Sequence, residues 1–298
     1  MAEGREGKEV KLVIARGSHE KPPDRYLKAK VGEELLELVE LHDCYNDEAH
    51  EFVGITSYAT PVWVNKELVK ADFSVGIGCI FPAPSVGFSG GCKIVLPGVS
   101  HIETINRNHS LFLSPRAKCG VIKGNPARED IDEAGLMSGL TAIVNVVLDA
   151  DCKLAGVFVG HPVKAHRRGV VISRKLHTVK ASKADVVIAS PGGYEDIDFV
   201  QATKAFFNLN DLCNPGGCMV LVAACPLGMD WPEFSSFVAK VREEGLSKSE
   251  ILKMALRGEV ETIAADIVYR MYDVFVEERK KFVFVSSNVC LLYTSDAA

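Results

Sequence analysis

The sequence predicts an α/β fold with two domains, each built on a mainly parallel sheet. Its 298 residues suffice for two domains of about 150 residues each. Hydrophobic residues make up 47% of the chain and charged residues 24%, a balance that supports a buried core and argues against disorder. In both halves, short β-branched runs alternate with longer helical stretches. A polar segment, residues 177–184, separates the halves, so we expect domains at residues 1–180 and 181–298.

The first half begins with a strand and alternates from there. We predict four strands, at residues 10–14, 73–80, 143–148 and 154–159. We predict four helices, at residues 24–40, 101–113, 126–140 and 163–176. The turn Asp149-Ala-Asp-Cys152 between the last two strands indicates a β-hairpin. His161 and His166, near the start of the last helix, are interpreted as structural residues.

The second half repeats the alternation. We predict three strands, at residues 185–189, 218–224 and 281–285. We predict four helices, at residues 196–209, 231–243, 247–256 and 259–278. Strands separated by helices are typical of parallel sheets.

The charge balance excludes some classes of partner. The chain has 34 basic and 39 acidic residues, a net charge of −5, which argues against a nucleic-acid surface or a polybasic membrane anchor. No apolar run reaches the roughly 18 residues of a membrane span. The charged start lacks a signal-peptide core. The nine cysteines include no Cys-x-x-Cys pair, which favours a reducing cytoplasm over a zinc ribbon or a disulfide framework.

A glycine-rich segment follows the second predicted strand and reads Gly87-Phe-Ser-Gly-Gly-Cys-Lys93. Glycines allow positive φ and close approach of the backbone to a ligand. Ser89 can donate a hydrogen bond, and Lys93 can contact a phosphate or act as a nucleophile. The spacing matches neither a Walker A loop nor Gly-x-Gly-x-x-Gly. The residues alone favour anion binding and tight packing equally.

The glycine-rich segment is followed by Leu96-Pro-Gly98 and Glu103-Thr-Ile-x-x-Asn-His109. Four further motifs are Gly124-Asn-Pro126, Asn145-Val-Val-Leu-Asp149, Ser190-Pro-Gly-Gly-Tyr194 and Gln201-Ala-Thr-Lys204. Together these motifs resemble the nickel-dependent lactate racemase family, and the resemblance covers about residues 10–287.

The resemblance implies two α/β domains with the active site in the cleft between them. It also implies a nickel-pincer nucleotide (pyridinium-3-thioamide-5-thiocarboxylic acid mononucleotide) as the cofactor. By position, Lys93 forms a thioamide with the cofactor and His109 completes the nickel coordination. Imidazole and soft sulfur are suitable ligands for nickel. The other cofactor-binding residues implied are Ser89, Gly90, Gly91, Gln201 and Lys204.

The implied reaction is racemisation or epimerisation of a small, lactate-like 2-hydroxy acid. A base takes the hydroxyl proton, the hydride passes to the pincer, and the keto acid receives it back on either face. His19 matches a family acid/base position, and an imidazole with a pKa near 6.5 is a suitable proton acceptor.

The sequence departs from the family pattern at three places. A second family histidine, ten residues before the lysine, is replaced by Ala83, which cannot transfer a proton. His42 is a possible substitute. The chain begins too late to contain a family Asp-x-Thr-Arg-type segment, and a C-terminal family tryptophan has no evident counterpart.

The ends of the chain are expected to be incomplete. The tail Leu291–Ala298 continues no pattern and resembles translated sequencing-adapter sequence. Residues after about 288 are therefore expected not to be native, and the chain is expected to be a fragment truncated at its N-terminus.

Three hypotheses follow. The first is a nickel-pincer-dependent 2-hydroxy-acid racemase, or an inactive fragment of one. The second is a non-catalytic α/β protein that binds a nucleotide or phosphate at the glycine-rich turn, which Ala83 favours. The third is a metal-free oxidoreductase with a nicotinamide cofactor, against which the missing Gly-x-Gly-x-x-Gly fingerprint argues. The oligomeric state is not predicted.

Overall fold

The computed structural model describes residues 10–19, 21, 23–229 and 232–289. The tail Leu291–Ala298 and the N-terminal residues 1–9 lie outside the described residues. The chain divides into two compact units, each of mixed α/β structure. The first contains Met1–Pro82, Val86–Leu111 and Val121–His177; the second contains Ala83–Ser85, Phe112–Gly120 and Thr178–Ala298. The predicted α/β class is confirmed.

The first unit contains most of the strands. Among the residues that the structure describes, nine strands begin in this unit, and β6 alone crosses its boundary. They are β1 Leu12–Ile14, β2 Val39–Leu41, β3 His50–Ile55, β4 Pro61–Asn65, β5 Val75–Cys79, β6 Pro82–Ala83, β7 Gly87–Phe88, β8 Ala142–Leu148 and β9 Leu154–Gly160. Its helices are α1 Asp24–Val31, α2 Lys66–Lys70, α3 Ile102–Ser110, α4 Pro126–Met137 and α5 Pro162–His177.

Three sheets organise this unit, beside the short two-stranded pair of β6 with β7. Strands β1 and β2 pair in parallel, and β3 and β4 form an antiparallel hairpin. The third sheet has the order β5-β8-β9, in which β8 is parallel to β5 and antiparallel to β9. The hairpin predicted around residues 149–152 is confirmed by the pairing of Val144 with Val159. After β5 ends at Cys79, the chain passes through β6 and enters the glycine-rich segment at β7.

One predicted helix is wrong and one hairpin was missed. The helix expected at residues 24–40 ends at Val31, because Gly32 has a φ of +82° and interrupts the helical backbone. A short 3-10 helix, Glu33–Leu38, then leads into β2. The missed hairpin is β3–β4, whose valine and aromatic residues on either side of the Thr56–Thr60 turn segment were a usable signal.

Helix α5 packs on the β5-β8-β9 sheet through one face. Its buried residues recur every three or four positions: Pro162, Ala165, His166, Gly169, Val170 and Ser173. Gly169 permits this approach, because a Cβ there would lie 2.4 Å from Ile80 Cδ1. The packing brings His166 beneath the glycine-rich segment.

The second unit is built on an all-parallel sheet of order β10-β11-β12. Its elements are β10 Ala184–Ala189, α6 Phe199–Leu209, β11 Cys213–Val222, α7 Pro232–Glu244, α8 Lys248–Leu256, α9 Thr262–Tyr272 and β12 Lys281–Val285. Arg270 of α9 donates hydrogen bonds to Ser85 Oγ and to the carbonyls of Phe112 and Ala117. The Arg270 guanidinium thus connects α9 to the segments Ala83–Ser85 and Phe112–Gly120 of the same unit. No helix in the described part of the chain is long and apolar enough to cross a membrane.

Buried neutral histidines should make the first unit sensitive to acid. Burial lowers the pKa of His42 to about 4, of His109 to about 3 and of His166 to about 2, and also lowers the pKa of His50. The unfolded chain takes up these protons near pH 6.5, whereas the native state does not. The stability contributed is therefore complete above pH 6.5 and is lost progressively as the pH falls from 6.5 towards the native pKa values.

We expect the free energy of unfolding to fall below pH 6.5 by about 1.4 kcal/mol per pH unit for each such histidine. Urea unfolding between pH 7 and 5.5 measures this slope, because the ordinary pKa values of carboxyl groups lie below that pH range. His50→Gln should make the slope shallower, whereas His177→Gln, at an exposed position, should leave it unchanged. A wild-type slope no steeper than that expected for one histidine would contradict the prediction.

Candidate active site

Three of the residues singled out from the sequence lie together in the first unit. His19 follows β1, Lys93 lies in the 3-10 turn Gly91–Ile94, and His109 lies in the last turn of α3. Electrostatic interactions with Lys93 and with His19 both lower the pKa of His109. Because such effects weaken with distance, the three side chains lie near one another in this unit.

His109 is held as a neutral imidazole. Its side chain is 7% exposed, and burial is the largest cause that lowers its pKa to about 3, followed by the charges of Lys93 and His19. The imidazole therefore keeps a lone pair at physiological pH, which is the form that binds metals. The neighbouring Asn108 anchors α3, because its amide donates to Ala127 O at 3.2 Å and to Asp130 Oδ2 at 2.7 Å.

The glycines before Lys93 are required by packing. Gly90 and Gly91 have φ values of +76° and +61°. A Cβ at Gly90 would lie 2.7 Å from Asn145 Oδ1, and one at Gly91 would lie 2.7 Å from Arg128 Nη2. The N–H of Gly91 donates to Asn145 Oδ1 at 2.7 Å. This turn therefore needs glycine for tight packing, and Lys93 emerges from it half-buried.

Ser89 uses its hydroxyl within the protein. Its Oγ donates to Cys79 O at 2.8 Å and accepts from the N–H of Phe81 at 2.9 Å. The side chain is buried and ties the turn to the end of β5. A cofactor-binding role for Ser89, Gly90 and Gly91 stays a prediction.

The loop that carries His19 is linked to the Lys93 turn. Gly17 N–H donates to Gly98 O at 3.0 Å, and Gly98 N–H donates to Lys93 O at 3.3 Å. The guanidinium of Arg16 donates to the carbonyls of His42 and His19. The imidazole of His19 is exposed, unlike that of His109, so the site combines an accessible imidazole with a buried one.

Gln201 and Lys204 lie one turn apart on α6 in the second unit, as the sequence predicts. Asp198 caps this helix by accepting the N–H of Gln201 at 2.7 Å. Gln201 is buried, and Lys204 Nζ forms an ion pair with Glu195 at 3.2 Å. Their contact with a cofactor or substrate stays a prediction.

The missing family histidine has no replacement at its position. Ala83 is buried and offers only a methyl group. His42, the suggested substitute, is fully buried, and its Nε2 donates to Ser100 O at 3.0 Å. Its pKa is lowered to about 4, mainly by burial. His42 therefore presents no accessible nitrogen to a substrate.

Sequence reasoning missed the residues that support the turn. Arg128, Asp132 and Asn145 surround it, and His166 was interpreted as structural without a stated partner. Arg128 is a charged residue on an amphipathic helix, for which exposure is the usual expectation. The Asn125-Pro126 helix start, where Asn125 Oδ1 accepts the N–H of Arg128 at 3.2 Å, fixes the helix but gives no signal for its buried face.

The fold and the site together define a class of protein. It is an α/β protein in which a half-buried lysine, a neutral buried imidazole and an exposed imidazole lie in one unit. Comparison with known proteins supplies the family.

A family model described as the lactate racemase N-terminal domain matches residues 1–120. Lactate racemase from Thermoanaerobacterium thermosaccharolyticum is 35% identical over 259 residues, which cover 85% of this chain and 60% of that protein. Lactate racemase from Lactiplantibacillus plantarum is 32% identical over 219 residues, or 72% of this chain and 52% of that protein. The chain thus spans between half and two thirds of the length of these relatives.

Solved structures agree. The apoprotein structure of lactate racemase from T. thermosaccharolyticum matches with a TM-score of 0.84 at 33% identity, covering 96% of this chain and 69% of that chain. A Thermotoga maritima protein matches with a TM-score of 0.73 at 21% identity, covering 94% of this chain and 76% of its own, which shows a shared fold alone. The chain belongs to the lactate racemase family, and the resemblance seen in the motifs is confirmed.

Replacing Gly90 tests the packing of the turn. Gly90→Ala should lower the free energy of unfolding by about 2–4 kcal/mol, because the strained φ and the clash with Asn145 add together. Gly139→Ala is the matched control, since Gly139 has a φ of +80° but nothing within 4 Å of its Cβ position. The control should cost about 1 kcal/mol, from backbone strain alone. Equal losses in urea unfolding would show that the turn is not tightly packed.

Proposed function

We propose that this chain carries the catalytic centre of a racemase or epimerase of a small, lactate-like 2-hydroxy acid. The observation that carries the proposal is the neutral His109 beside Lys93 and His19 in a member of the lactate racemase family. The proposal keeps the domain division at residue 180, with Lys93 and His109 in the N-terminal domain. The eight described cysteines form no disulfide with one another, which supports a cytoplasmic location.

The residues fit a nickel-pincer nucleotide. Within the described residues, no group of three or more His, Cys, Asp or Glu side chains is placed to hold a metal ion. A metal here therefore needs most of its donors from a bound organic ligand, and a pincer group supplies two sulfurs and a ring carbon. The neutral imidazole of His109 would supply a protein nitrogen to the nickel, a donor that suits Ni(II). Lys93 would anchor the nucleotide through its amine.

When bound, the nickel-pincer nucleotide supplies a hydride acceptor for the substrate carbon. The proton is handled by the protein. His19 would accept the proton of the substrate hydroxyl at an imidazole nitrogen and return it to the oxygen. Ala83 leaves the site without the second family acid/base, so in our proposal His19 is the single proton-transfer residue that the family motifs assign here.

Gln201 and Lys204 would orient the ligand. Lys204 is available for this because its pair with Glu195 is partly exposed, and such pairs contribute little, about 0–1 kcal/mol. The lysine can therefore exchange Glu195 for a carboxylate or phosphate at small cost.

A second candidate function is binding of a nucleotide or phosphate without catalysis. The observation that favours it is the buried methyl group of Ala83 at a family acid/base position. The two candidates differ in whether loaded protein interconverts the enantiomers of a 2-hydroxy acid.

Covalent loading tests the assignment of Lys93. Protein co-expressed with a pincer-cofactor biosynthetic system should show a nucleotide-sized adduct by intact mass. Lys93→Ala should abolish the adduct, and Lys118→Ala, at an exposed lysine, should retain it. His109→Ala should keep the adduct but lose nickel, measured by elemental analysis. Absence of any adduct, both here and on a longer parent protein, would contradict the cofactor assignment.

A further inference from the structure

A buried cluster grips the backbone of the turn that carries Lys93. The guanidinium of Arg128 donates to Phe88 O and Gly90 O, each at 3.2 Å. The carbonyl between them, Ser89 O, accepts a hydrogen bond from His166 Nε2 at 2.8 Å. Three consecutive carbonyls of the turn are therefore held by two side chains, and both of these side chains are fully buried.

Asp132 and Arg167 hold the side chains of Arg128 and His166 in place. Asp132 accepts Arg128 Nε at 3.1 Å and Nη2 at 2.8 Å through one oxygen, and Arg167 through the other. Arg167 Nη1 also lies 2.6 Å from His166 Nδ1. Because a guanidinium can only donate, His166 Nδ1 is the acceptor and Nε2 carries the proton. The donor that faces Ser89 O is thereby fixed.

The electrostatics keep His166 in this form. Burial, then the charges of Arg128 and Arg167, lower the pKa of His166 to about 2. The imidazole stays neutral at any physiological pH, so its hydrogen bond to the turn does not switch. Asp132 balances one of the two guanidinium charges, and the carbonyl oxygens of the turn solvate the rest.

Burying a charged guanidinium is costly unless its donors are satisfied. In this unit, Arg128 directs its donors at Asp132 and at the turn that presents Lys93. Asn145 completes the grip by accepting Gly91 N–H at 2.7 Å, on the side of the turn nearest the lysine. Reactive groups require such rigid support to hold a productive geometry.

We propose that Arg128 and His166 are positioning residues for Lys93, which fix the turn so that the lysine amine is presented beside His109. The importance of this for catalysis rests on the proposed function, but the positioning itself does not. The amine of Lys93 can be probed without any cofactor.

The test is trace labelling of lysine amines with acetic anhydride, followed by peptide mass spectrometry, with Lys118 as the internal reference. His166→Ala should raise the relative labelling rate of Lys93 by about threefold or more, because a released turn exposes the amine more often. His166→Gln should restore part of the wild-type rate, since its amide can donate to Ser89 O. Arg128→Lys keeps the positive charge but loses the planar guanidinium that donates to Phe88 O and Gly90 O. It should also raise the labelling rate of Lys93.

The matched control is His50→Ala. His50 is also a buried neutral histidine of the same unit, but its ring donates to Asn46 O at 2.7 Å and not to the turn. It should lower the melting temperature about as much as His166→Ala and leave Lys93 labelling unchanged. If both variants are destabilised and Lys93 labelling is unchanged in both, His166 is a packing residue and the proposal is wrong.

Cofactor loading separates this inference from the proposed function. If wild-type protein loads, His166→Ala should reduce the loaded fraction at equal expression, whereas His50→Ala should not. If wild-type protein never loads, the proposed function fails, while the labelling result still decides whether the cluster positions Lys93.

Discussion

The candidate site depends on a fully buried guanidinium. Arg128 cannot leave its place on α4 without stranding a charge in the core, and its donors are satisfied only when the carbonyls of Phe88 and Gly90 face it. This requirement dictates the path of the turn. It also excludes side chains at Gly90 and Gly91, because a Cβ at either position would contact the groups that hold the turn.

The same rigid turn determines the electrostatics of the site. Lys93 leaves the turn half-buried and close enough to His109 for its charge to lower the pKa of that imidazole. Burial contributes more than Lys93 does, so His109 would remain neutral even as the lysine contacts a ligand. Burial thus keeps His109 neutral, while His19 lies on a loop with its side chain exposed. Two residues of the same type therefore have different electrostatic surroundings.

Much of this could be predicted from the sequence, for identifiable reasons. The strands and the β8–β9 hairpin follow from β-branched runs and a strong turn signal, and the motif residues Lys93, His109 and His19 do lie together. The helix expected at residues 24–40 is wrong because a single residue in the helical pattern, Gly32, adopts a positive φ and ends the helix at Val31. The glycine-rich turn left anion binding and packing equally favoured, and only three-dimensional contacts with Asn145 and Arg128 establish the packing role.

The supporting cluster could not be predicted. Arg128, Asp132 and His166 are ordinary polar residues on amphipathic helices, and the sequence pattern does not indicate that their buried faces meet a turn some 40 to 80 positions earlier in the chain. Long-range hydrogen bonds of this kind depend on how α4 and α5 pack, which local patterns do not encode.

The most direct test of the account is the protonation state of His109. Nitrogen-15 NMR of histidine-labelled protein, with His109→Gln for assignment, reports whether the ring is neutral. The account predicts a neutral His109 at pH 5.5, because burial and the charge of Lys93 lower its pKa to about 3. An imidazole that titrates near pH 6.5, as free histidine does, would show that His109 is neither buried nor held beside Lys93.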